Sequence, residues 1–226
     1  MTLDKFANIE TWVFDLDNTL YPASMALFEQ IEVKMTQFVS EFLDVDATTA
    51  NRLRDQYWRD HGTTLAGLMI HHDMPPEDFM RDVHEIDFTV LNPDPQLADL
   101  IQSLPGRKII YTNGSAPYAK DVLRARGLSG IFSEIYGVEH ADWHPKPMAR
   151  AFDTVFGIAQ FDPTRAVMFE DDPRNLAVPH DLGMTTVHVA PAQITQDHIH
   201  FHTDDLTAFL SQVHARAFPG GVGTLP

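Results

Sequence analysis

Short runs of apolar residues recur along the chain, and each run ends in polar or glycine-bearing residues. The runs cover residues 12 to 15, 107 to 115, 133 to 139, 166 to 172 and 184 to 190. Stretches with helical spacing lie between them, at residues 116 to 128, 146 to 158 and 173 to 184. Short apolar strands that alternate with helices indicate a parallel sheet covered on both faces. We therefore predict an α/β fold with a Rossmann-like parallel sheet, whose ligand crevice lies beyond the carboxyl ends of the strands.

The alternation stops between residues 22 and 91, where no strand-like run occurs. Apolar residues there recur at helical spacing, for example Leu27, Ile31, Met35, Phe38, Val39 and Phe42. The stretch closes at residues 92 to 96, where two prolines mark a return linker before a new helix. We predict a helical subdomain over residues 21 to 91, inserted into an α/β core made of residues 1 to 20 and 92 to 226.

Composition narrows the partners that the protein is expected to bind. The 226 residues include 16 Lys plus Arg against 32 Asp plus Glu, which gives a formal net charge of -16. This balance opposes binding to a nucleic acid polymer or an anionic membrane. The absence of cysteine excludes disulfides, thiolate metal sites and a thiol nucleophile. Without a signal-like N-terminus or an apolar run long enough for a membrane span, we expect a soluble cytoplasmic protein. The sequence leaves open whether it is a monomer or a dimer.

Two aspartates follow the first apolar run, within the stretch WVFDLDNTLYP at residues 12 to 22. Asp15 and Asp17 are two positions apart, so in an extended chain both side chains leave the same face. Two ionised carboxylates in a crevice of low dielectric repel each other unless a cation lies between them. Mg²⁺ prefers oxygen ligands of this kind and is often shared with a substrate phosphate. The alternative is a helix N-cap and turn, positions that Asp, Asn and Thr also favour.

The other strand ends carry residues that complement the acid pair. Thr112 and Asn113, followed by the backbone N–H groups of Gly114 and Ser115, stand at a strand-to-helix junction, an arrangement that binds anions. An ordinary capped turn would use the same residues.

A lysine and a run of acids complete the set. Lys146 lies between two prolines, which fix its backbone in a chain poor in cations, although a lysine is more often solvated. Glu170, Asp171 and Asp172 end the fourth apolar run, and such a cluster beside a buried strand repels itself without a cation. An exposed acidic turn is the alternative.

The order of these four groups resembles the four motifs of the haloacid dehalogenase-like hydrolases, over essentially the whole chain. The resemblance implies that Asp15 attacks phosphorus and forms an aspartyl phosphate, a case of covalent catalysis. It implies that Asp17 protonates the leaving alcohol and then deprotonates the hydrolytic water. Within this family, the helical subdomain at residues 21 to 91 corresponds to a cap of the C1 type, which closes over the crevice.

The same resemblance implies roles for the remaining residues. Thr112, Asn113 and the amide of Gly114 would hold the phosphoryl oxygens, and Lys146 would offset the charge on nucleophile and phosphate. Mg²⁺ would be held by Asp15, by Asp171 and by the backbone carbonyl of Asp17. The implied place of Glu170 is on a metal-bound water. Relatives often carry a small polar residue at the position of Asp172, so Asp172 departs from the family pattern there, and we expect it behind the metal ligands.

Three other functions are alternatives to a phosphatase. In a receiver domain the acidic pair precedes the phosphorylated Asp by a whole strand, whereas here the pair includes the nucleophile. Dehalogenases of 2-haloacids in the same family typically lack an acid two residues after the nucleophile, since no alkoxide needs a proton, and Asp17 therefore favours a phosphatase. A catalytically silent binding module is disfavoured because all four motifs keep competent residues.

Three stretches narrow the substrate class. DLDNTLYP, HGTTLAGLMIHHDMPPEDFMRDVH and PDPQLADLIQSLPGRKIIYTNGS resemble the pyrimidine 5′-nucleotidase group, which dephosphorylates nucleoside monophosphates such as UMP and CMP. A nucleobase needs an aromatic or apolar face and a few hydrogen-bonding groups. The predicted cap offers candidates for this recognition, with Thr64 and His71 favoured: Tyr57, Trp58, His61, Thr64, His71 and His72. Another small phosphate ester, such as a sugar phosphate, is the alternative substrate.

Three histidines alternate near the C-terminal end of the chain, at His198, His200 and His202. On a strand they would project from one face and could bind zinc. We favour a solvated edge strand instead, because the segment lies far from the four motifs in chain order. The sequence does not decide whether these histidines bind metal.

Overall fold

Six parallel strands form one sheet in the computed structural model, which describes residues 2–219. The strands are β1 (Thr11–Phe14), β2 (Arg107–Tyr111), β3 (Glu134–Tyr136), β4 (Ala166–Glu170), β5 (Thr185–Val189) and β6 (Phe201–Thr203). Their order across the sheet is β3-β2-β1-β4-β5-β6, and every neighbouring pair is parallel. The predicted α/β fold with a Rossmann-like sheet is confirmed. Residues 1 and 220 to 226 of the predicted core lie outside the described part of the chain.

Helices cover the sheet and fill the interval between its first two strands. The first four of these helices lie within the predicted subdomain: α1 (Leu27–Leu43), α2 (Ala47–His61), α3 (Thr64–His72) and α4 (Pro76–Val83). We refer to these four as the helical segment. Five further helices follow: α5 (Pro95–Ser103), α6 (Ala116–Ala125), α7 (Ala149–Ala159), α8 (Ala177–Asp181) and α9 (Leu206–Ala217). Within residues 2–219, no helix has both the length and the apolarity that crossing a membrane requires.

The central strand is buried on both faces, as a parallel sheet between helical layers requires. Trp12 and Phe14 pack into one hydrophobic cluster, whereas Val13 packs with Met168 into a second cluster on the opposite face. The rings of Phe14 and Phe169 stack with their centroids 4.6 Å apart. Burying an apolar side chain of this size contributes about 1.5–3 kcal/mol. The apolar run therefore fixes β1 at the centre of the sheet, with its carboxyl end in the middle of the crevice.

One buried arginine joins both connections between the helical segment and the sheet. Arg126, only 3% exposed, donates to the carbonyl of Leu20 at 3.2 Å, on the outgoing connection. On the returning connection it donates to the carbonyl of Asn92 and to Asp94 Oδ2, the latter at 3.0 Å. Asp94 also caps α5 by accepting from the backbone of Leu97. The division of the chain into a core and a cap at residues 20/21 and 91/92 stays a prediction.

Prolines shorten two of the predicted helices. The stretch at residues 146 to 158 becomes helical only at Ala149, because a residue before proline avoids the helical conformation and Pro147 follows Lys146. The stretch at residues 173 to 184 forms a 3-10 turn over Pro173–Leu176 and then the five-residue helix α8. Pro179 lies within α8 and cannot donate a backbone hydrogen bond, which limits the length of that helix.

Candidate active site

The polar residues that follow three neighbouring strands meet in one cavity of about 710 Å³. Asp15 follows β1, Thr112 follows β2 and Asp171 follows β4, and β1 lies between β2 and β4 in the sheet. The opposite wall of the cavity comes from α1, α2, α4 and the start of α3, all within the helical segment. The site therefore lies between the carboxyl edge of the sheet and the helical segment, as expected for this class of fold.

Lys146 lies at the centre of a buried charge cluster. Its ammonium donates to Asp15 Oδ1 at 2.7 Å, to Glu170 Oε2 at 2.6 Å and to the carbonyl of Tyr111 at 3.0 Å. The lysine is 1% exposed, so these three acceptors replace its water shell. Burial acts against the charged ammonium, but the two carboxylates outweigh burial and raise the pKa of Lys146 above its usual range. The lysine is therefore a fixed positive charge beside the predicted nucleophile.

Three carboxylates form a group that could hold a metal ion. Asp15, Glu170 and Asp171 each offer one oxygen, and these oxygens lie within 4.8 Å of one another. Beside them on the cavity wall, Asn18 Oδ1 and Asn175 Oδ1 are buried without a hydrogen-bond partner. Unpaired buried oxygens are costly, and an all-oxygen donor set is the type that Mg²⁺ prefers. The residues present therefore fit a divalent cation.

The pKa values in this group indicate the same need for positive charge. Burial is the larger cause and repulsion from Glu170 the second, and together they raise the pKa of Asp15 to about 7, although Lys146 opposes the shift. Burial and Glu170 also raise the pKa of Asp171 well above its usual range. A cation held by these carboxylates would favour their charged forms and lower both pKa values. A nucleophilic Asp15 needs that charged form.

Two tyrosines donate hydrogen bonds to Asp17. Tyr21 Oη and Tyr118 Oη each donate to Asp17 Oδ1 at 2.6 Å. Burial, followed by repulsion from Asp15, raises the pKa of Asp17 to about 6, while the two tyrosine hydrogen bonds oppose the shift. A carboxyl group with a pKa near 6 can give and take a proton at neutral pH, as a general acid and base must.

The predicted phosphate-binding residues lie on the cavity wall, but two of them already have partners. Thr112 Oγ1 accepts from the amide of Gly114 at 2.9 Å. The side chain of Asn113 bonds the backbone of Lys146 twice, since its Oδ1 accepts from the Lys146 amide at 2.8 Å and its Nδ2 donates to the Lys146 carbonyl at 3.1 Å. Asn113 therefore fixes the position of Lys146. The phosphate-binding roles of Thr112, Asn113 and Gly114 stay predictions.

Asp172 connects the loop that carries Glu170 and Asp171 to the helical segment. It caps the following turn by accepting from the amide of Arg174, and it also accepts hydrogen bonds from the guanidinium, the shortest at 2.6 Å. The guanidinium of Arg174 lies 3.7 Å from the ring centroid of Trp58 and donates to the Trp58 carbonyl at 3.3 Å. An Arg over a Trp face is a favourable cation–π contact. Asp172 thus orders the residue that joins the strand-end loop to α2.

The helical segment contributes an apolar wall with one arginine. Phe28, Ile31, Met35, Phe79, Met80 and Val83 line the cavity from α1 and α4. Arg54 lines it from α2 and donates to Thr36 Oγ1 at 2.6 Å, whereas its Nε is buried without a partner. The nearest carboxylate oxygen to Arg54, on Glu32, is 3.6 Å from its Nη2. Burial lowers the pKa of Arg54.

The predicted specificity residues divide into two groups. Thr64 is buried and lines the cavity, next to Gly62, whose φ of 90° and close approach to the Lys146 carbonyl require glycine. Tyr57, His61 and His71 are not on the cavity wall and contact one another instead. His61 Nε2 and His71 Nε2 are 2.8 Å apart, and the rings of Tyr57 and His71 stack at 5.4 Å. The specificity roles of all four residues stay predictions.

The alternating histidines are bound to the edge of the sheet by ordinary hydrogen bonds. His198 Nε2 pairs with the carbonyl of Pro173 at 2.9 Å, and His202 Nε2 pairs with the carbonyl of Ala190 at 2.9 Å. His200 Nδ1 lies 2.9 Å from Thr186 Oγ1. Within residues 2–219, only the three carboxylates described above form a group whose ligand atoms are close enough together to hold a metal ion. Of the three histidines, only His202 lies within the edge strand β6, whereas His198 and His200 precede it.

Sequence reasoning did not identify several residues of the site. Asn18 Nδ2 donates to Asp171 Oδ2 at 3.3 Å, and Tyr21 and Tyr118 hold Asp17. Two arginines that were also not identified, Arg54 and Arg174, lie on the cavity wall. Asn18 and Tyr21 lie within the same motif as the acid pair, so their closeness in sequence was a usable signal. Tyr118 and Arg54 carried no such signal, because an aromatic or an arginine at helical spacing usually packs or faces solvent.

Comparison with known proteins finds a matching family model and curated relatives. A family model described as haloacid dehalogenase-like hydrolase matches residues 9–183. "Phosphate metabolism protein 8" of Saccharomyces cerevisiae is 23% identical over 195 residues, which cover 77% of this chain and 60% of the yeast protein. The match therefore spans less than two thirds of that relative's length.

Solved structures with the same architecture agree on the fold. The HAD-hydrolase YfnB from Bacillus subtilis, whose structure is bound to magnesium and reveals interdomain movement, aligns with a TM-score of 0.63 at 18% identity, over 91% of this chain and 99% of that one. L-2-haloacid dehalogenase from Xanthobacter autotrophicus aligns with a TM-score of 0.58 at 13% identity, over 92% of this chain and 99% of that one. At these identities the likeness concerns the fold alone.

Proposed function

The chain belongs to the haloacid dehalogenase-like hydrolase family, and on that premise we propose that it is a Mg²⁺-dependent phosphomonoesterase whose preferred substrate is a pyrimidine nucleoside 5′-monophosphate. Asp15 is the proposed nucleophile, and Asp17 is the proposed general acid and base. The helical segment is the proposed cap over the site. The observation that carries the proposal is the pair formed by Asp15, bonded to Lys146, and Asp17, bonded to two tyrosines, on the wall of one cavity.

The reaction proceeds in two transfers of the phosphoryl group. The carboxylate of Asp15 attacks phosphorus, the bond from phosphorus to the leaving oxygen breaks, and Asp17 gives its proton to that oxygen. Water then attacks the phosphorus of the aspartyl phosphate and gives its proton to Asp17. Inorganic phosphate leaves, and both acids return to their starting states. Lys146 keeps a positive charge beside Asp15 throughout, which offsets charge on the phosphoryl group.

Asp15 and Asp171, with the backbone carbonyl of Asp17, are the proposed Mg²⁺ ligands, and Glu170 lies within the same group of carboxylates. Mg²⁺, when bound, neutralises charge on the substrate phosphate and on these acids. The bond from Asn18 to Asp171 holds that carboxylate in place at the end of β4. The bond from Lys146 to Glu170 does the same for its neighbour.

The choice of a phosphatase over a haloacid dehalogenase rests on Asp17, since the fold accommodates both. A leaving alkoxide needs a proton, whereas a leaving halide does not. A carboxyl group with a pKa of about 6, on the wall of the nucleophile's own cavity, supplies that proton. The yeast relative, by its name a phosphate metabolism protein, also supports phosphate chemistry.

The proposed substrate class rests on the wall that faces the acids. A cavity of about 710 Å³ lies within the usual range for small-ligand pockets. Its apolar wall from α1 and α4 suits the faces of a planar base, and Trp58, 49% exposed, adds an aromatic ring. Arg54 has donor groups that are incompletely paired, which suits the carbonyl oxygen of a pyrimidine. Thr64 is the proposed hydrogen-bonding group from α3.

A phosphate-release screen tests the proposal. Nucleoside monophosphates and sugar phosphates are each incubated with the protein, with Mg²⁺ and with a chelator. We expect Mg²⁺-dependent release that is fastest from UMP or CMP and absent in Asp15→Asn. Faster release from sugar phosphates would contradict the substrate class alone. No release from any ester by the wild type, or full activity in Asp15→Asn, would contradict the function itself.

A further inference from the structure

Two tyrosine hydroxyls converge on a single oxygen of Asp17. Tyr21 Oη and Tyr118 Oη both lie 2.6 Å from Oδ1, and the two rings are 1% and 2% exposed. Among the described residues, no hydrogen bond reaches the other oxygen, Oδ2. A hydroxyl that faces a carboxylate donates its proton, so the two donors fill the acceptor sites of Oδ1 that face the protein.

We propose that Tyr21 and Tyr118 are positioning residues for Asp17, and that by holding Oδ1 they present Oδ2 to the leaving oxygen of the substrate. Oδ2 then carries the proton that passes to the leaving alcohol, and it later accepts the proton of the attacking water. The proposal rests on the proposed function, in which Asp17 is the acid and base. It adds which oxygen of Asp17 transfers the proton and what fixes it.

The tyrosine pair is built from two separate parts of the chain. Tyr21 lies in the turn that carries the acid pair, where the amide of Leu20 donates to the carbonyl of Leu16 at 3.0 Å. Tyr118 lies in the first turn of α6, which Ser115 caps. Residues this far apart meet at one oxygen only if the fold holds both rings in place.

The ring of Tyr118 is enclosed on two sides. A Cβ atom on Gly114 would lie 2.9 Å from Tyr118 Cδ1, so glycine leaves the space that the ring occupies. On the other side, the ring of His84, at the end of α4, stacks on it with centroids 4.0 Å apart and planes at 7°. His84 also lines the cavity. The orientation of Tyr118 is thus set jointly by the sheet-side loop and by the helical segment.

The need for such precision follows from how a general acid works. Two bonds to one oxygen stop the carboxyl group from rotating about its terminal torsion, which is otherwise broad and twofold. A misplacement of the acid by about 1 Å can cost about 10²-fold in rate. Without the tyrosine hydroxyls, Asp17 would remain on the cavity wall and chemically competent, yet its protonated oxygen would no longer be fixed toward the substrate.

The test compares two esters that differ in their need for an acid. Phenyl phosphate has a basic leaving group that needs a proton, whereas dinitrophenyl phosphate has a stable phenolate that needs none. The ratio kcat/KM reports events up to the first phosphoryl transfer, so the later role of Asp17 as a base does not enter. The variants are Tyr21→Phe, Tyr118→Phe and their combination, which keep the rings. Tyr136→Phe is the matched control, because Tyr136 is buried in β3 and is not on the cavity wall.

The double variant is expected to lose about 10- to 100-fold in kcat/KM on phenyl phosphate and less than about threefold on dinitrophenyl phosphate, within the usual range for a general acid. Each single variant should show the same selective loss to a smaller degree, which provides the comparison if the double variant does not fold. The control should match the wild type on both esters. Equal losses on the two esters, or no loss on phenyl phosphate, would overturn the proposal.

Asp17→Asn, measured beside these variants, separates this proposal from the proposed function. If Asp17→Asn loses activity on phenyl phosphate alone while the tyrosine variants lose none, only the positioning role is wrong. If Asp17→Asn loses equally on both esters, the assignment of Asp17 as the acid is wrong, and the role of the tyrosines is overturned with it. No turnover of either ester by the wild type would overturn both.

Discussion

Replacing Lys146 with Met should destabilise the protein strongly in the absence of Mg²⁺, and more at pH 8 than at pH 5.5. The change removes an ammonium that bonds Asp15 at 2.7 Å and Glu170 at 2.6 Å, and it leaves the carbonyl of Tyr111 without that donor. Both acids are at most 5% exposed, so water does not replace the lost partner. Breaking a buried ion pair by removing one member costs about 3–5 kcal/mol.

The pH dependence follows from the acids that remain. Burial and Glu170 already raise the pKa of Asp15 to about 7, above its unfolded value, and loss of the lysine raises it further. Such a group favours the folded state at low pH, where it is protonated, and that contribution is lost as the pH rises through the folded pKa. At pH 5.5 the acids of the variant can take up a proton, which relieves their repulsion. At pH 8 that proton is bound less, and the penalty is larger.

The assay is thermal unfolding at both pH values, without and with Mg²⁺. For a chain of this size, a loss of about 3–5 kcal/mol lowers Tm by roughly 6–20 °C. Mg²⁺ should recover part of the loss, because it supplies positive charge to the same acids. Lys120→Met, at an exposed position of α6, is the control and should change Tm little. The reasoning is refuted if Lys146→Met costs no more than Lys120→Met, or costs equally at both pH values.

Two further predictions concern the metal and the substrate. The folded pKa values of Asp15 and Asp17, about 7 and about 6, lie above their unfolded values, so these acids favour folding less as the pH rises. Mg²⁺ should therefore raise the wild-type Tm more at pH 8 than at pH 5.5. An equal or reversed shift in thermal unfolding would count against a metal site at these carboxylates. Arg54→Met should raise KM for UMP about 10-fold or more while leaving phenyl phosphate hydrolysis nearly unchanged, since a lost hydrogen bond to a charged donor costs about 1.5–3 kcal/mol. Arg52→Met, at an exposed position of the same helix, is its control, and parallel losses on both esters in Arg54→Met would contradict a role in base recognition.

The sheet and the strand-end chemistry were predictable because their signals are local. Apolar runs that end at Asp15, Thr112 and Glu170 form strands, and a parallel sheet brings the carboxyl ends of those strands to one edge. Helix ends were less predictable, because Pro147 and Pro179 limit α7 and α8 through backbone geometry that apolar spacing does not reveal. The α/β fold therefore followed from the sequence, while the exact length of its helices did not.

The wall contributed by the helical segment could not be predicted, for a reason specific to α2. Arg54 and Trp58 are four residues apart and share a stripe that faces the cavity, whereas Tyr57 and His61 share the adjacent stripe that faces α3. Both stripes mix aromatic and polar side chains, so spacing alone does not distinguish them. Only the packing of α2 against its neighbours decides which stripe reaches the substrate.

The central claim is that Asp15 accepts the phosphoryl group from the substrate, and that Asp17 assists both this transfer and the hydrolysis of the aspartyl phosphate. Asp17→Asn with dinitrophenyl phosphate and Mg²⁺ tests this most directly, because the leaving group needs no acid while hydrolysis of the intermediate still needs a base. We predict a burst of one dinitrophenolate per enzyme molecule, with the mass of one phosphoryl group on the peptide that contains Asp15. Turnover of dinitrophenyl phosphate by the wild type, with neither a burst nor a phosphorylated Asp15 peptide in Asp17→Asn, would contradict the account.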